Sequence, residues 1–384
     1  MKIAGFVAII TVILGIYCAA NYYIFIRGWQ SIPQVPWVRL WYIGLFILLS
    51  FSYFISKLFE HTTFIGFHHI FYWIGSFWFA ALLYFFLSVL MVDLLRISNL
   101  WFHFLPPPNS IAAIHLKMYG FAGVVVLVSF ILSYGHWNAR HPQIKRMDLS
   151  VHKSTGEKKE ITIAMVSDIH LGTLLGKKRV NDMVEKINGL KPDLVLFAGD
   201  VLDEVQTPIF RNNVGGPIKN LHAPLGVYGI TGNHEYIGGI NRSVPYLESL
   251  NIKLLRDTVL LIGNRFYLAG RDDKDMTRFS GKKRKTLNEI LTGIDHQLPI
   301  ILMDHQPFHL EEAVENGVDL QLSGHTHHGQ FWPLNLITQK VYEVSWGYKK
   351  KGNTQVYVSC GYGYWGPPVR IGNTPEIVLI KLTI

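Results

Sequence analysis

Five short blocks hold the residues of this chain best suited to binding a metal. They are Ser167-Asp168-Ile169-His170, Gly199-Asp200, Gly232-Asn233-His234-Glu235, Asp304-His305 and Gly324-His325-Thr326-His327. Asp, Asn and His supply oxygen and nitrogen donors, a set that suits Mn, Fe or Zn rather than a thiolate site. The two cysteines stand outside these blocks. In extended backbone alternate residues face the same way, so Asp168 with His170, and His325 with His327, are expected to converge. A single block of this kind is weak, because most lone histidines are hydrogen-bonded core residues. Five in succession, each adjoining Gly or Asp, point to one shared site.

The elements that must position them are short apolar runs. Ile161–Val166, Leu194–Ala198, Val227–Thr231, Ile300–Met303 and Leu320–Ser323 each end where a block begins. Arg265–Ala269, Val356–Ser359 and Ile377–Leu382 have the same character, and Lys178–Asn188 and Val244–Leu250 are helical candidates. Apolar runs of this length bounded by turn residues predict buried strands. Strands mixed with helices predict an α/β domain, in which ligands gather beyond the carboxyl ends of strands.

In this order and setting the blocks resemble the calcineurin-like metallophosphoesterases, over roughly Lys158 to the C-terminus. The ending, from Gly361 through Pro367-Pro368-Val369-Arg370 to Pro375-Glu376, is similar to the membrane-associated branch of that family. The resemblance implies a C-terminal α/β domain of mixed β-sheets, sandwiched and flanked by helices, behind an N-terminal four-helix transmembrane region. It implies two divalent ions, Mn first, with Fe, Zn or a mixed pair as alternatives. Asp168, His170 and His327 would hold one ion, Asn233, His305 and His325 the other, and Asp200 would bridge them. His234 would be the catalytic residue, assisting the leaving oxygen. Two ions about 3.5–4 Å apart clamp the attacking and leaving oxygens of an in-line displacement, so no Ser or Cys nucleophile is needed.

Composition divides the chain. Of 384 residues 49% are hydrophobic and only 16% are Asp, Glu, Lys or Arg, where a soluble domain has roughly 25%. Residues 1–135 hold just eight charged side chains. Four stretches in this third are long and apolar enough to span a bilayer, at 3–26, 38–56, 70–92 and 111–134. The reading is a transmembrane domain over 1–140, a linker and first strand region over 141–157, and the phosphoesterase domain over 158–384. An uncleaved first helix puts both termini on one side. That side carries Lys2, Lys57, Arg140, Lys145, Arg146 and Lys153 against Arg27, Arg39, Arg96 and Lys117 on the other. Six against four favours a multi-pass bacterial-type inner-membrane protein with its catalytic domain in the cytoplasm. His61, His68, His69, His103 and His115 read as interfacial side chains near helix ends.

Three basic runs remain: Lys177-Lys178-Arg179, Arg278 with Lys282-Lys283-Arg284-Lys285, and Lys349-Lys350-Lys351. Anionic lipid attracts such clusters at about 1 kcal/mol per cation, and a nucleic-acid partner is not expected. Lys282, Lys283 and Arg370 are candidates for substrate binding. The expected partners are the bilayer and an amphiphilic phosphate substrate. Membrane-bound relatives split the pyrophosphate of UDP-2,3-diacylglucosamine in lipid A synthesis, and the resemblance makes that lipid the first candidate. The alternatives are a broad phospholipid or phosphodiester hydrolase, and a membrane sensor with a phosphoesterase output domain.

Overall fold

The computed structural model describes residues 3–59, 65–151, 153 and 159–384; His61 lies outside them. The chain divides into two units, Met1–His136 and Trp137–Ile384.

Four helices make up the first unit: α1 (Ile3–Trp29), α2 (Pro36–Phe59), α3 (Ile65–Phe102) and α4, which runs over Ile111–Ala139 into the second unit. All four are long and apolar enough to cross a membrane. α1 and α4 overrun their predicted C-terminal bounds, and α2 and α3 overrun at both ends, α3 by the most, because helices persist past the hydrocarbon core. At 38 residues α3 is about 57 Å long, against a core of about 30 Å. Side chains of α2 and α3 interlock through small residues. Ser52, Ser56, Ser76 and Ala80 are buried, and a Cβ at Gly75 would strike the backbone of Tyr53. Charge within this unit is neutralised locally. Asp93 pairs with Arg27 at 2.7 Å and accepts a 2.6 Å hydrogen bond from Tyr23, with Arg96 at 3.5 Å. His68 faces the Ser56 carbonyl at 3.0 Å.

Among the described residues, twelve strands build the second unit: β1 (Gln143–Ser150), β2 (Glu160–Val166), β3 (Leu194–Ala198), β4 (Val227–Ile230), β5 (Lys253–Leu254), β6 (Thr258–Ile262), β7 (Phe266–Gly270), β8 (Ile300–Met303), β9 (Leu320–Ser323), β10 (Gly347–Lys351), β11 (Thr354–Val358) and β12 (Glu376–Thr383). They form two six-stranded mixed sheets, ordered β1-β12-β2-β3-β4-β5 and β10-β11-β9-β8-β7-β6. β3 and β8 match their expected bounds to the residue because unbroken apolar runs leave no ambiguity, and β9, which alternates Leu with Gln and Ser, matches as well. β5, β6 and β10 were not foreseen: they are edge strands, β5 of two residues, β10 rich in lysine, and β6 an apolar run, Val259–Ile262, that stays largely exposed. The segment 141–157 holds the expected first strand, since β1 lies there and pairs in parallel with β12 along its whole length.

The period of two along β2 builds two cores at once. Ile161, Ile163 and Met165 face the second sheet, where Phe266, Leu268, Ile301, Leu322 and Tyr357 meet them. Ala164 and Val166 face the other way, toward helix α5 (Lys177–Gly189). This helix buries Val180, Met183, Val184 and Ile187, whose i, i+3, i+4, i+7 spacing makes one stripe. Each such side chain contributes about 1.5–3 kcal/mol when fully buried. The site is thus carried on strand ends clamped between two packed layers.

Candidate metal centre

β2, β3, β8 and β9 run parallel to their neighbours β3, β4, β7 and β11, so their carboxyl ends bring the five blocks together. The loops that follow are stitched to one another by backbone hydrogen bonds. Asp168 N–H donates to Gly199 O, and Ile169 and His170 N–H both donate to Asp200 O. Side chains finish the frame: Asp168 accepts from His325 N–H at 2.8 Å, and Asp200 Oδ1 accepts from His234 N–H at 2.8 Å.

The blocks leave the strands with a kink. Asp168, His170, Asp200, His325 and His327 all have φ between 45° and 73°. Asp168 and His170 do converge, through left-handed backbone rather than the extended alternation expected from the sequence, whereas His325 and His327 part into different donor groups. The motif glycines make room for it. At φ 89°, Gly199 adopts a conformation that a side chain resists, and a Cβ there would strike the His305 ring. A Cβ at Gly232 would strike Asp200, and one at Gly324 would strike Asp168 and Ser167.

Among the described residues three donor groups result, each with its ligand atoms within 4.8 Å of one another: two principal ones, Asp168, His170 and His327, and Asp200, His305 and His325, and a third, His170, Asp203 and His234, which shares His170 with the first. Nε2 of His170 and Nε2 of His327 face each other at 2.9 Å. Asn233 Oδ1 lies 2.9 Å from His325 Nδ1. Asp200 Oδ2 lies between the groups, 3.1 Å from His305 Nε2 and 3.9 Å from His170 Nε2. His305 turns Nδ1 to the Ala198 carbonyl at 2.7 Å and aims its buried Nε2 at Asp200 Oδ2. A backbone acceptor behind one ring nitrogen orients a metal-binding histidine in this way.

Electrostatics fit the same reading. Burial drives His170 and His325 down to about 3, and neighbouring positive histidines push in the same direction. His327 is held well below its ordinary value by burial, His170 and Arg370. These three imidazoles stay neutral, as a ligand must. Burial opposes charge on Asp200, but His305, His234 and His170 outweigh it and hold the carboxyl well below its ordinary value. Burial also opposes charge on His305, and there Asp200, Asp168 and Asp273 win and raise it. A proton on His305 and a cation answer the same carboxylates, so metal binding must release that proton.

His234 stands beside the two principal groups as a member of the third, its ring 4.5 Å from that of His170. Nδ1 lies 3.6 Å from Asp203 Oδ1 and 3.7 Å from Glu204 Oε1. Burial would discharge it, but Asp200, Asp203 and Glu204 prevail and lift it to about 9.

The domain matches the family model described as calcineurin-like phosphoesterase over residues 161–329. An uncharacterized metallophosphoesterase of Aquifex aeolicus is 31% identical over 253 residues, which cover 65% of this chain and 95% of that protein. The chain belongs to the calcineurin-like metallophosphoesterases. An uncharacterized metallophosphoesterase of Helicobacter pylori J99 is 34% identical, over 63% of this chain and 64% of its own. A bovine protein named transmembrane protein with metallophosphoesterase domain is 32% identical, over 67% of this chain and 62% of its own. The chain thus spans less than two thirds of the length of these two relatives.

The family implies divalent metal ions, and the buried donor atoms aimed at common points fit them. Of the candidate substrate-binding residues, Lys282 and Lys283 are exposed on the loop after the helix Met276–Ser280. Arg370 is wholly buried, with its guanidinium engaged by Gly363 O, Asn373 Oδ1 at 2.7 Å and His327 Nδ1 at 3.1 Å. That placement suits holding His327. Sequence reasoning missed Asp203, three residues after Asp200, and gave no role to Glu235, although it stood in a quoted block. The buried Glu235 carboxylate accepts from Gly232 N–H at 2.7 Å, Leu202 N–H at 2.8 Å and Asp200 N–H at 3.1 Å. It locks two ligand loops together.

Proposed function

We propose that this chain is a membrane-anchored phosphohydrolase with two divalent ions, acting on a phosphoester or pyrophosphate carried by a lipid. Asp168, His170 and His327 would hold one ion, and Asn233, His305 and His325 the other. Asp200 would bridge, and the observation that carries this reading is its Oδ2 standing between the two groups. The ions, with Mn the first choice for this O and N donor set, would polarise the phosphoryl oxygens and activate water. The protein does the rest. His234, raised to about 9 by Asp200, Asp203 and Glu204, would have a proton to give to the oxygen that leaves, with Asp203 and Glu204 orienting it. Asp168 and Asp200 each fix a loop by accepting a backbone N–H, and Arg370 holds His327 in register.

The lipid is supported by the four membrane-length helices of the same chain and by relatives of similar description. A site tethered to a bilayer meets a headgroup phosphate more readily than a solute. UDP-2,3-diacylglucosamine is the first candidate, hydrolysed to a lipid monophosphate and UMP on the cytoplasmic face. The test is full-length protein in detergent with Mn²⁺, offered this lipid, common phospholipids and an aryl phosphodiester in parallel. Cleavage of a lipid-borne phosphate well above that of the aryl ester is expected. Turnover of water-soluble phosphoesters alone would overturn the lipid assignment and leave the reaction class standing.

A further inference from the structure

An apolar rim adjoins the metal centre. Trp332, Leu336, Ile337 and Val341 are 53%, 51%, 59% and 56% exposed. The last three lie on the short helix Asn335–Val341, within an arc of about 140° at 3.6 residues per turn. Exposed aliphatic and aromatic side chains gathered like this mark an interaction site on a soluble surface. The rim is fastened to the ligands at both ends. Gly329, two residues after His327, has no room for a Cβ because the backbone of Leu334 and Asn335 packs on it. At the other end the ring of Tyr342 lies 6.1 Å from that of His325.

The rim also adjoins the place where the chain leaves its last membrane-length helix. Trp332 N–H donates to Ile371 O at 2.8 Å, and Ile371 N–H donates to Gln330 O. On either side of Ile371, the carbonyls of Arg370 and Asn373 accept from the Asn138 side chain at 3.0 and 2.7 Å. Thr374 Oγ1 donates to Asn138 Oδ1 at 3.0 Å. Asn138 sits in the last turn of α4, one residue before its end at Ala139. One loop therefore joins the end of a membrane-spanning helix, the apolar rim and, through Arg370, the ligand His327. Lys340 is exposed within the same arc, between Leu336 and Ile337, and its long apolar stem lets the ammonium reach the headgroups while its neighbours enter the acyl boundary.

We infer that Trp332–Val341 is an interfacial docking element that sits in the headgroup–acyl boundary of the bilayer and seats the metal centre at the phosphate plane. It builds on the lipid-substrate reading for its purpose, and its test is independent of that reading. Full-length Cys18→Ser/Ile337→Cys, labelled with an environment-sensitive fluorophore, is reconstituted in phosphatidylcholine vesicles; the remaining Cys360 is wholly buried. Blue-shifted emission, quenched more by lipids with a nitroxide high on the acyl chain than by those with one deep, is expected. Emission like that of the free dye in buffer overturns the inference. So does a blue shift without lipid quenching, which would put a second copy of the chain on the rim.

Leu336→Gln, Ile337→Gln and Val341→Gln combined should keep aryl phosphodiester turnover within about twofold. Cleavage of a lipid phosphate in vesicles should fall on the order of tenfold or more. Equal loss on both substrates would make the rim a structural support and overturn the inference. Insertion of the label without cleavage of any lipid phosphate would uphold the rim and sink the lipid-substrate reading. A label in water beside full lipid cleavage would do the reverse.

Discussion

Replacing Asp203 by Asn tests whether His234 is charged by its neighbours for acid catalysis. Its carboxylates hold His234 at about 9 against an ordinary 6.5, a difference worth about 3 kcal/mol at 1.36 kcal/mol per pH unit. Three carboxylates share that effect, and Asp200 must remain. Asp203 Oδ1 is 3.6 Å from Nδ1, beyond good hydrogen-bond length, so its share lies at the low end of the 1–3 units typical of a close opposite charge. Asp203→Asn should therefore lower the His234 pKa by about one unit. Because the acid form is the working form, activity is present below the pKa and lost above it. The basic limb of the kcat profile should move to lower pH by that amount. Bound cations lower both midpoints alike and leave the displacement between the two proteins. The assay is kcat against pH on two aryl phosphodiesters, one with a poor and one with a good leaving group, with metal content measured alongside. The shift should show with the poor leaving group, which needs the proton. An unmoved limb, or one moved upward, at normal metal content would refute the role given to the Asp203–His234 pair.

Three further substitutions separate the roles of neighbouring groups. Asp200→Ala should abolish turnover and lower occupancy of both metal positions, read by elemental analysis; two retained ions with normal rate would sink the bridging assignment. His234→Ala should keep both ions yet slow turnover by about 10²–10⁴, and loss of an ion would make it a ligand instead. Glu235→Ala strands three buried N–H groups at about 1–3 kcal/mol each, so a clear fall in the thermal midpoint is expected, on the order of several kcal/mol. An unchanged midpoint would show that the Gly232 and Leu202 amides find other partners.

The blocks were legible because their chemistry is local. Asp168, His170, His325 and His327 sit at fixed offsets after apolar runs, and β3, β8 and β9 end where those runs end. Side chains that act through long-range contacts were not legible as such. Arg370 is 43 residues from His327 along the chain, and a sequence reading gives a cation near a phosphate site the task of binding the phosphate. Only the fold shows its guanidinium buried on Gly363, Asn373 and His327. Edge strands were harder to place for a related reason: a first strand was expected within 141–157, but the exposed pattern of β1 carries no apolar signature to bound it, and its place is set by pairing with β12 over 200 residues away. Glu235 shows an intermediate case. Its position in the motif was visible, but its partners Asp200 and Leu202 belong to another loop.

The left-handed ligands carry a cost that the rest of the fold must offset. A non-glycine residue in that region costs roughly 1–2 kcal/mol, and Asp168, His170, Asp200, His325 and His327 are all there. Together they reach the scale of a domain's whole net stability, about 5–15 kcal/mol. Packing between the sheets and the interloop hydrogen bonds must hold them. This predicts an inversion of the usual ranking of Gly and Ala. In ordinary backbone Gly is less stable than Ala by about 0.5–1 kcal/mol. At His170, with φ 52°, Ala keeps the strain and Gly relieves it, so His170→Gly should be the more stable of the two by about 1 kcal/mol. Both lose the same ligand, so metal binding cannot account for the difference. Thermal midpoints of the two full-length variants in detergent with chelator measure it. A His170→Ala protein more stable than His170→Gly by the ordinary amount of about 0.5–1 kcal/mol would mean that the kink at this strand end costs nothing, and that the ligands converge without stored strain.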